Sequence, residues 1–174
     1  MNLEAPSSDY PNPSVVELAE AFYEVSVTPG CPVIPRIVNA CLSIELNLKS
    51  LMVKYKYHNP IRSTAVISGE EIEITSGQII GDRAPQASHK LSQLLNKIPC
   101  EMLPDFEKTL DQVHSLSISE LENLLKPFDS AFVDFRYAYE MPSKDIDLRG
   151  LRHVTDIVHQ TIQNMPTRTI LPIL

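Results

Sequence analysis

Between Val33 and Tyr57 apolar residues return every three or four positions. Ile34, Val38, Cys41, Leu48 and Met52 form one line, and Ile37, Ile44 and Leu51 widen it. Residues three, four and seven apart share one face of an α-helix. A stripe this broad needs covering from more than one side, so the helix predicted from Val33 to about Tyr57 is central and the rest of the chain must supply helices to pack around it. Pro35 fits its first turn, and Asn59-Pro60 stops it.

The flanking segments carry the same period. Ser14-Val-Val-Glu17 has the spacing of a capping box and predicts a helix to about Val27, with Val15, Leu18, Ala19, Phe22 and Val25 inward and Pro29-Gly30 after it. A short helix is expected from Ser88 or His89, with Leu91, Leu94, Leu95 and Ile98 apolar and Pro99 closing it. Residues 101–114 give another, with Met102, Phe106, Leu110 and Val113 at helical spacing. Ser117 or Ser119, each with a Glu three residues later, caps the next, which carries Leu121, Leu125, Phe128, Phe132, Phe135 and Tyr139, with a kink or restart at Pro127. The last helix runs from about Asp145 to Gln163, with Leu151, Val154, Val158 and Ile162 inward. Thr64–Ser68 and Ile72–Thr75 around Gly69-Glu70-Glu71 suggest a small hairpin, and 77–86 a loop.

The expectation is an all-α bundle of about five to six helices, one domain over 1–174, with a small hairpin or irregular insertion near 62–76. Residues 1–12 are expected to be a loose arm and 165–174 an apolar tail. The formal net charge of −7 disfavours broad electrostatic binding to nucleic acid, which needs a basic surface, though not a small basic site. Cys31, Cys41 and Cys100 are scattered and lack zinc spacing, so reduced thiols and no metal or other cofactor are expected. No signal-peptide pattern opens the chain and no apolar run is long enough to span a bilayer, which predicts a cytoplasmic location without membrane contact.

Three polar features interrupt the apolar pattern. Glu45 falls between Cys41 and Leu48 in the central stripe. A buried carboxylate needs a partner, and Lys49 one turn on or Arg136 on another helix supplies one. Arg136 lies in an aromatic run, Phe135-Arg136-Tyr137-Ala138-Tyr139, suited to a helix–helix clamp or to phosphate in a cleft. Arg152 and His159 are seven apart, almost in line on a helix. They are either two solvated residues flanking an apolar stripe or a pair in which the Arg binds phosphate and the His transfers a proton. His89 opens a helix and His114 ends one, where a cationic imidazole is favoured.

The order of these blocks resembles a known family. Cys41-Leu-Ser-Ile-Glu45-Leu-Asn-Leu-Lys49-Ser-Leu51 is similar to the S-x-E-x-x-L-K-A-L helix of prokaryotic HEPN-like (higher eukaryote and prokaryote nucleotide-binding) proteins. Ser88-His89-Lys90-Leu91-Ser-Gln-Leu94 resembles their GHDLxxLF segment, with Ser and Lys in place of Gly and Asp. Phe132-Val-Asp-Phe135-Arg136-Tyr137-Ala-Tyr139-Glu140 resembles the FxxWRYxYE segment of one branch. The resemblance implies a helical bundle, commonly a homodimer, found in toxin–antitoxin, phage-defence or CRISPR-associated systems. Some members are metal-independent RNases built on an Arg and a nearby His, and others are inactive binding modules. It implies for this chain a degenerate dimerising module that binds a partner protein from its operon or a nucleotide-like ligand, with Glu45, Arg136, Tyr139 and His89 as a polar cluster. The alternative it implies is a metal-independent endoribonuclease using Arg152 and His159.

Overall fold

The central apolar stripe becomes helix α2, Val33–Lys49, against which α1 (Pro13–Val27) and α7 (Leu148–Asn164) pack. The computed structural model describes residues 8–67, 70–82, 90–136 and 145–170. The remaining helices are α3 (Leu91–Leu95), α4 (Leu103–His114), α5 (Ile118–Leu125) and α6 (Ala131–Arg136), with a 3-10 turn at Lys126–Phe128. Helix α2 also touches α3 and α6, while α4 and α5 reach α7. Ile37, Cys41, Ile44, Leu48 and Leu51 are buried in the centre, joined by Leu94, Phe106, Leu121, Leu125 and Val158. The expected helical bundle is the fold. None of its described helices is long and apolar enough to cross a membrane.

Two elements depart from the periodicity. Helix α2 ends at Lys49 rather than Tyr57, and Lys54–Ile67 is strand β2, antiparallel to β3 (Glu70–Asp82). Lys54-Tyr-Lys-Tyr-His alternates in the two-residue period of a strand, and its aromatic rings favour extended backbone. The hairpin thus exceeds the small one expected. Thr64 pairs with Glu73 and Ala65 with Ile72, within the segments read as strands, but pairing continues to Lys54↔Asp82 through a register shift between His58 and Ile61. Glu70 and Glu71, read as turn, belong to β3, and so do 77–82, read as loop.

The ends of the bundle also differ. Ser8–Tyr10, within the arm expected to be loose, forms strand β1, antiparallel to β4 (Arg168–Ile170) in the apolar tail. Tyr10 and Asn12 are buried. Asn12, not Ser14, caps α1: its Oδ1 accepts from Val15 N at 3.2 Å, and Pro13 follows at the position where a missing N–H costs nothing. Asn12→Ala should lower unfolding free energy by about 1 kcal/mol, with Ser14→Ala within about 0.5 kcal/mol of the parent in urea titrations. Ser117 is the cap of α5, in a full capping box with Glu120. Pro127 restarts the chain as the 3-10 turn, which separates α5 from α6.

Helix α7 is set by its first turn. Asp147 Oδ1 accepts from Arg149 N at 3.1 Å and Gly150 N at 3.0 Å. A Cβ at position 150 would lie 2.5 Å from Asp147 Oδ2, so a side chain there would displace the capping carboxylate.

Candidate functional site

Helices α1 and α7 meet through a polar seam within the apolar bundle. Tyr23 of α1 faces Arg152, Asp156 and His159 of α7, which the three- and four-residue steps of a helix bring to one side. The Tyr23 hydroxyl donates to Asp156 Oδ1 at 2.8 Å. Arg152 Nε donates to both Asp156 oxygens, at 2.8 and 2.9 Å, and Arg152 Nη2 lies 3.5 Å from the Tyr23 hydroxyl. The Arg152 guanidinium is 5.6 Å from the Tyr23 ring centroid. His159 stacks on the same ring, with centroids 3.9 Å apart and planes 9° from parallel. Thus Arg152 and His159, paired by spacing in the sequence, converge on one aromatic ring.

His159 sits inside the seam. Its Nε2 is 3.4 Å from Glu20 Oε2, which also accepts from Gln163 Nε2 at 3.1 Å, and its Nδ1 is buried without a hydrogen-bond partner. Burial pushes its pKa below the ordinary value of 6.5, against the opposing pull of the Glu20 and Asp156 carboxylates. The imidazole is therefore held toward its neutral form, whose ring is cheaper to bury between two helices. Burial also raises the Tyr23 pKa, reinforced by the hydrogen bond to Asp156 and opposed by Arg152.

The sign of the pH effect follows. Between its lowered pKa and 6.5, folded His159 binds fewer protons than the unfolded chain does, so stability is full above that window and falls as pH drops through it. His114, at the end of α4, shifts in the same direction, again mainly by burial. Its cationic form is thus disfavoured despite the helix C-terminus. The urea midpoint should drop from about pH 7.5 to about pH 5.5, and less steeply in His159→Gln. An unchanged slope in that variant would remove His159 as a source of the dependence.

Glu45 and Arg136 lie on helices that touch, α2 and α6. Glu45 is buried and ion-pairs with Lys49 one turn on. Arg136 is exposed, with its guanidinium 5.7 Å from the Phe132 ring centroid. His89 and Tyr139 lie outside the described residues. Cys41 is packed in the core, where burial, with the Glu45 charge nearby, pushes its thiol up to about 12. That sulfur stays protonated and poorly nucleophilic at neutral pH. Among the described residues no group of three or more His, Cys, Asp or Glu is placed to hold a metal ion.

Three members of the seam were not singled out in the sequence: Tyr23, Asp156 and Glu20. Asp156 follows Arg152 by four residues, the spacing of a helical ion pair, and was legible in principle. Tyr23 and Glu20 reach α7 across more than 130 positions of chain, for which local spacing gives no signal.

Helix α1 turns a different face outward from the one expected. Its buried side chains are Ala19 and Ser26. Leu18 and Val25, read as core, are 50% and 40% exposed. Seven apart, they stand nearly in line, with exposed Ala21 between them. Glu17 and Glu24, also seven apart and exposed, run alongside, and α1 contains no basic residue. Glu17, Glu20, Glu24 and Gln163 border an open hollow on this side.

Compared with known proteins, the chain matches no family model, no curated protein and no solved structure.

Proposed function

We propose that the chain is a HEPN-like helical module that performs no catalysis and acts by docking a partner protein, in a bacterial defence or toxin–antitoxin setting. The observation that carries this reading is the outward stripe of α1, Leu18, Ala21 and Val25 beside Glu17 and Glu24. An apolar line edged by acid on one side fits an amphipathic segment that carries Lys or Arg beside its own apolar face. Two copies meeting through this stripe would bring their carboxylates together, so the docked segment belongs to another protein and any homodimer forms elsewhere. Arg152 supports the non-catalytic side of the reading. Its Nε is taken by Asp156, and His159 is packed under Tyr23.

A photo-crosslinking residue placed at Leu18 in cells should capture a partner peptide rich in Lys or Arg with an apolar face. Leu18→Glu with Val25→Glu should abolish co-purification of that partner while leaving the urea midpoint unchanged. A captured peptide that is acidic, or capture that survives the double variant, would sink the reading. The second reading, a metal-independent RNase, draws on the convergence of Arg152 and a neutral His159 on one ring. Its test is cleavage of a mixed RNA pool in EDTA. Cleavage lost in His159→Ala would establish it and displace the non-catalytic proposal.

A further inference from the structure

A second feature lies on another face, where the end of α1, the first turns of α2 and the first turns of α7 surround a small hollow. Arg36 and Arg152 both line it. Each guanidinium is held by its Nε: Arg36 donates to Ser26 O at 3.2 Å, and Arg152 donates to Asp156. This mode of anchoring fixes the plane of each group and leaves its terminal nitrogens for something else. Among the described residues those of Arg36 have no hydrogen-bond partner, and Arg152 has only the long contact to the Tyr23 hydroxyl.

Ser26 also lines it, and the remaining walls are apolar, from Val33, Ile37, Ala40, Leu148 and Leu151; among the described residues no carboxylate lines the hollow. Val33 and Leu148 are 50% and 40% exposed, so the rim presents bare hydrocarbon beside cationic nitrogen. Asp156 offsets Arg152, whereas among the described residues Arg36 has no carboxylate partner, so its positive charge is uncompensated there. Preset guanidinium forks match the paired oxygens of a carboxylate or phosphate.

We propose that this hollow binds a small amphiphilic oxyanion, a carboxylate or phosphate carried on a short apolar group. Its oxygens take the terminal nitrogens of Arg36 and Arg152, and its apolar group covers Val33 and Leu148. The proposal is independent of the docking role of α1, whose outward stripe faces elsewhere.

The test is calorimetric titration of the full chain with four probes: hexanoate, acetate, hexyl phosphate and inorganic phosphate. A hexyl chain should tighten binding about tenfold or more over the short anion of the same head group, by burial of its methylenes. Tighter binding of hexanoate than hexyl phosphate would assign a carboxylate ligand, and the reverse order a phosphate. Arg36→Gln should weaken binding of the preferred hexyl probe about tenfold or more, the loss of one charge-assisted contact. Val33→Ser, at an exposed position that leaves the fold intact, should weaken the hexyl probe and spare the short anion. Unchanged affinity in Arg36→Gln, equal affinity for long and short anions, or equal loss of both in Val33→Ser would each overturn the proposal. Melting curves of both variants separate loss of binding from loss of fold. The crosslinking result at Leu18 bears on none of these outcomes.

Discussion

Leu48→Ala is expected to lower the free energy of unfolding by about 2–5 kcal/mol, the range for removing a buried leucine side chain from a packed core. Leu48 is fully buried on α2, the helix that α1, α3, α6 and α7 all touch, so its removal leaves a gap that no single neighbour can move to fill. The matched experiment is Ile34→Ala on the same helix. Ile34 belongs to the same apolar line in the sequence but is 46% exposed, and its truncation should cost under about 1 kcal/mol. Urea titration of the two variants at one pH measures both. Equal losses would mean that the first turn of α2 is covered in solution.

The second large effect is expected at Tyr23. Tyr23→Ala removes the hydroxyl bonded to Asp156, the stacked face against His159 and the ring beside Arg152. The first contribution is about 1.5–3 kcal/mol for a bond to a charged acceptor, the second about 0.5–1.5 and the third about 0.5–1. Water reaches part of the seam and weakens these contributions, so the expected total is about 3 kcal/mol. Tyr23→Phe keeps the stack and should lose about 1–2 kcal/mol of it. The imidazole signals of His159, followed by NMR over a pH series, separate ring from hydroxyl: Tyr23→Ala exposes the imidazole and moves its pKa back toward the ordinary value, and Tyr23→Phe leaves most of the shift. If both variants titrate alike, the stacked ring does not shield His159.

Much of the bundle was legible because its helices are amphipathic at one period. The apolar lines of α5 and α7 face inward as read, as do Met102, Phe106 and Leu110 of the α4 line, though Val113 at its end is 39% exposed, and the Ser117 box starts α5. Helix α1 was found but turned the wrong way. Leu18 and Val25 sit at helical spacing among its aliphatic residues, and periodicity cannot tell a core stripe from a docking stripe of the same spacing. The end of α2 was missed because Leu51 and Met52 continue the apolar pattern into the turn, where both are buried outside the helix. Arg152 and His159 were legible as a pair, since a single helix carries both. What they contact was not, because Tyr23 and Glu20 arrive from the other end of the chain.

The short ribbon of Ser8–Tyr10 with Arg168–Ile170 joins the two segments farthest apart along the described chain. Three residue pairs cannot offset the entropy of closing so long a loop unaided. The packed helices must first bring the segments together, so in the order of folding events the ribbon is a late one. On the return path the same dependence makes it an early casualty of any opening between α1 and α7. The ribbon is therefore a seal on the assembled bundle rather than a nucleus for it, and its backbone amides register whether the helices beneath are in place.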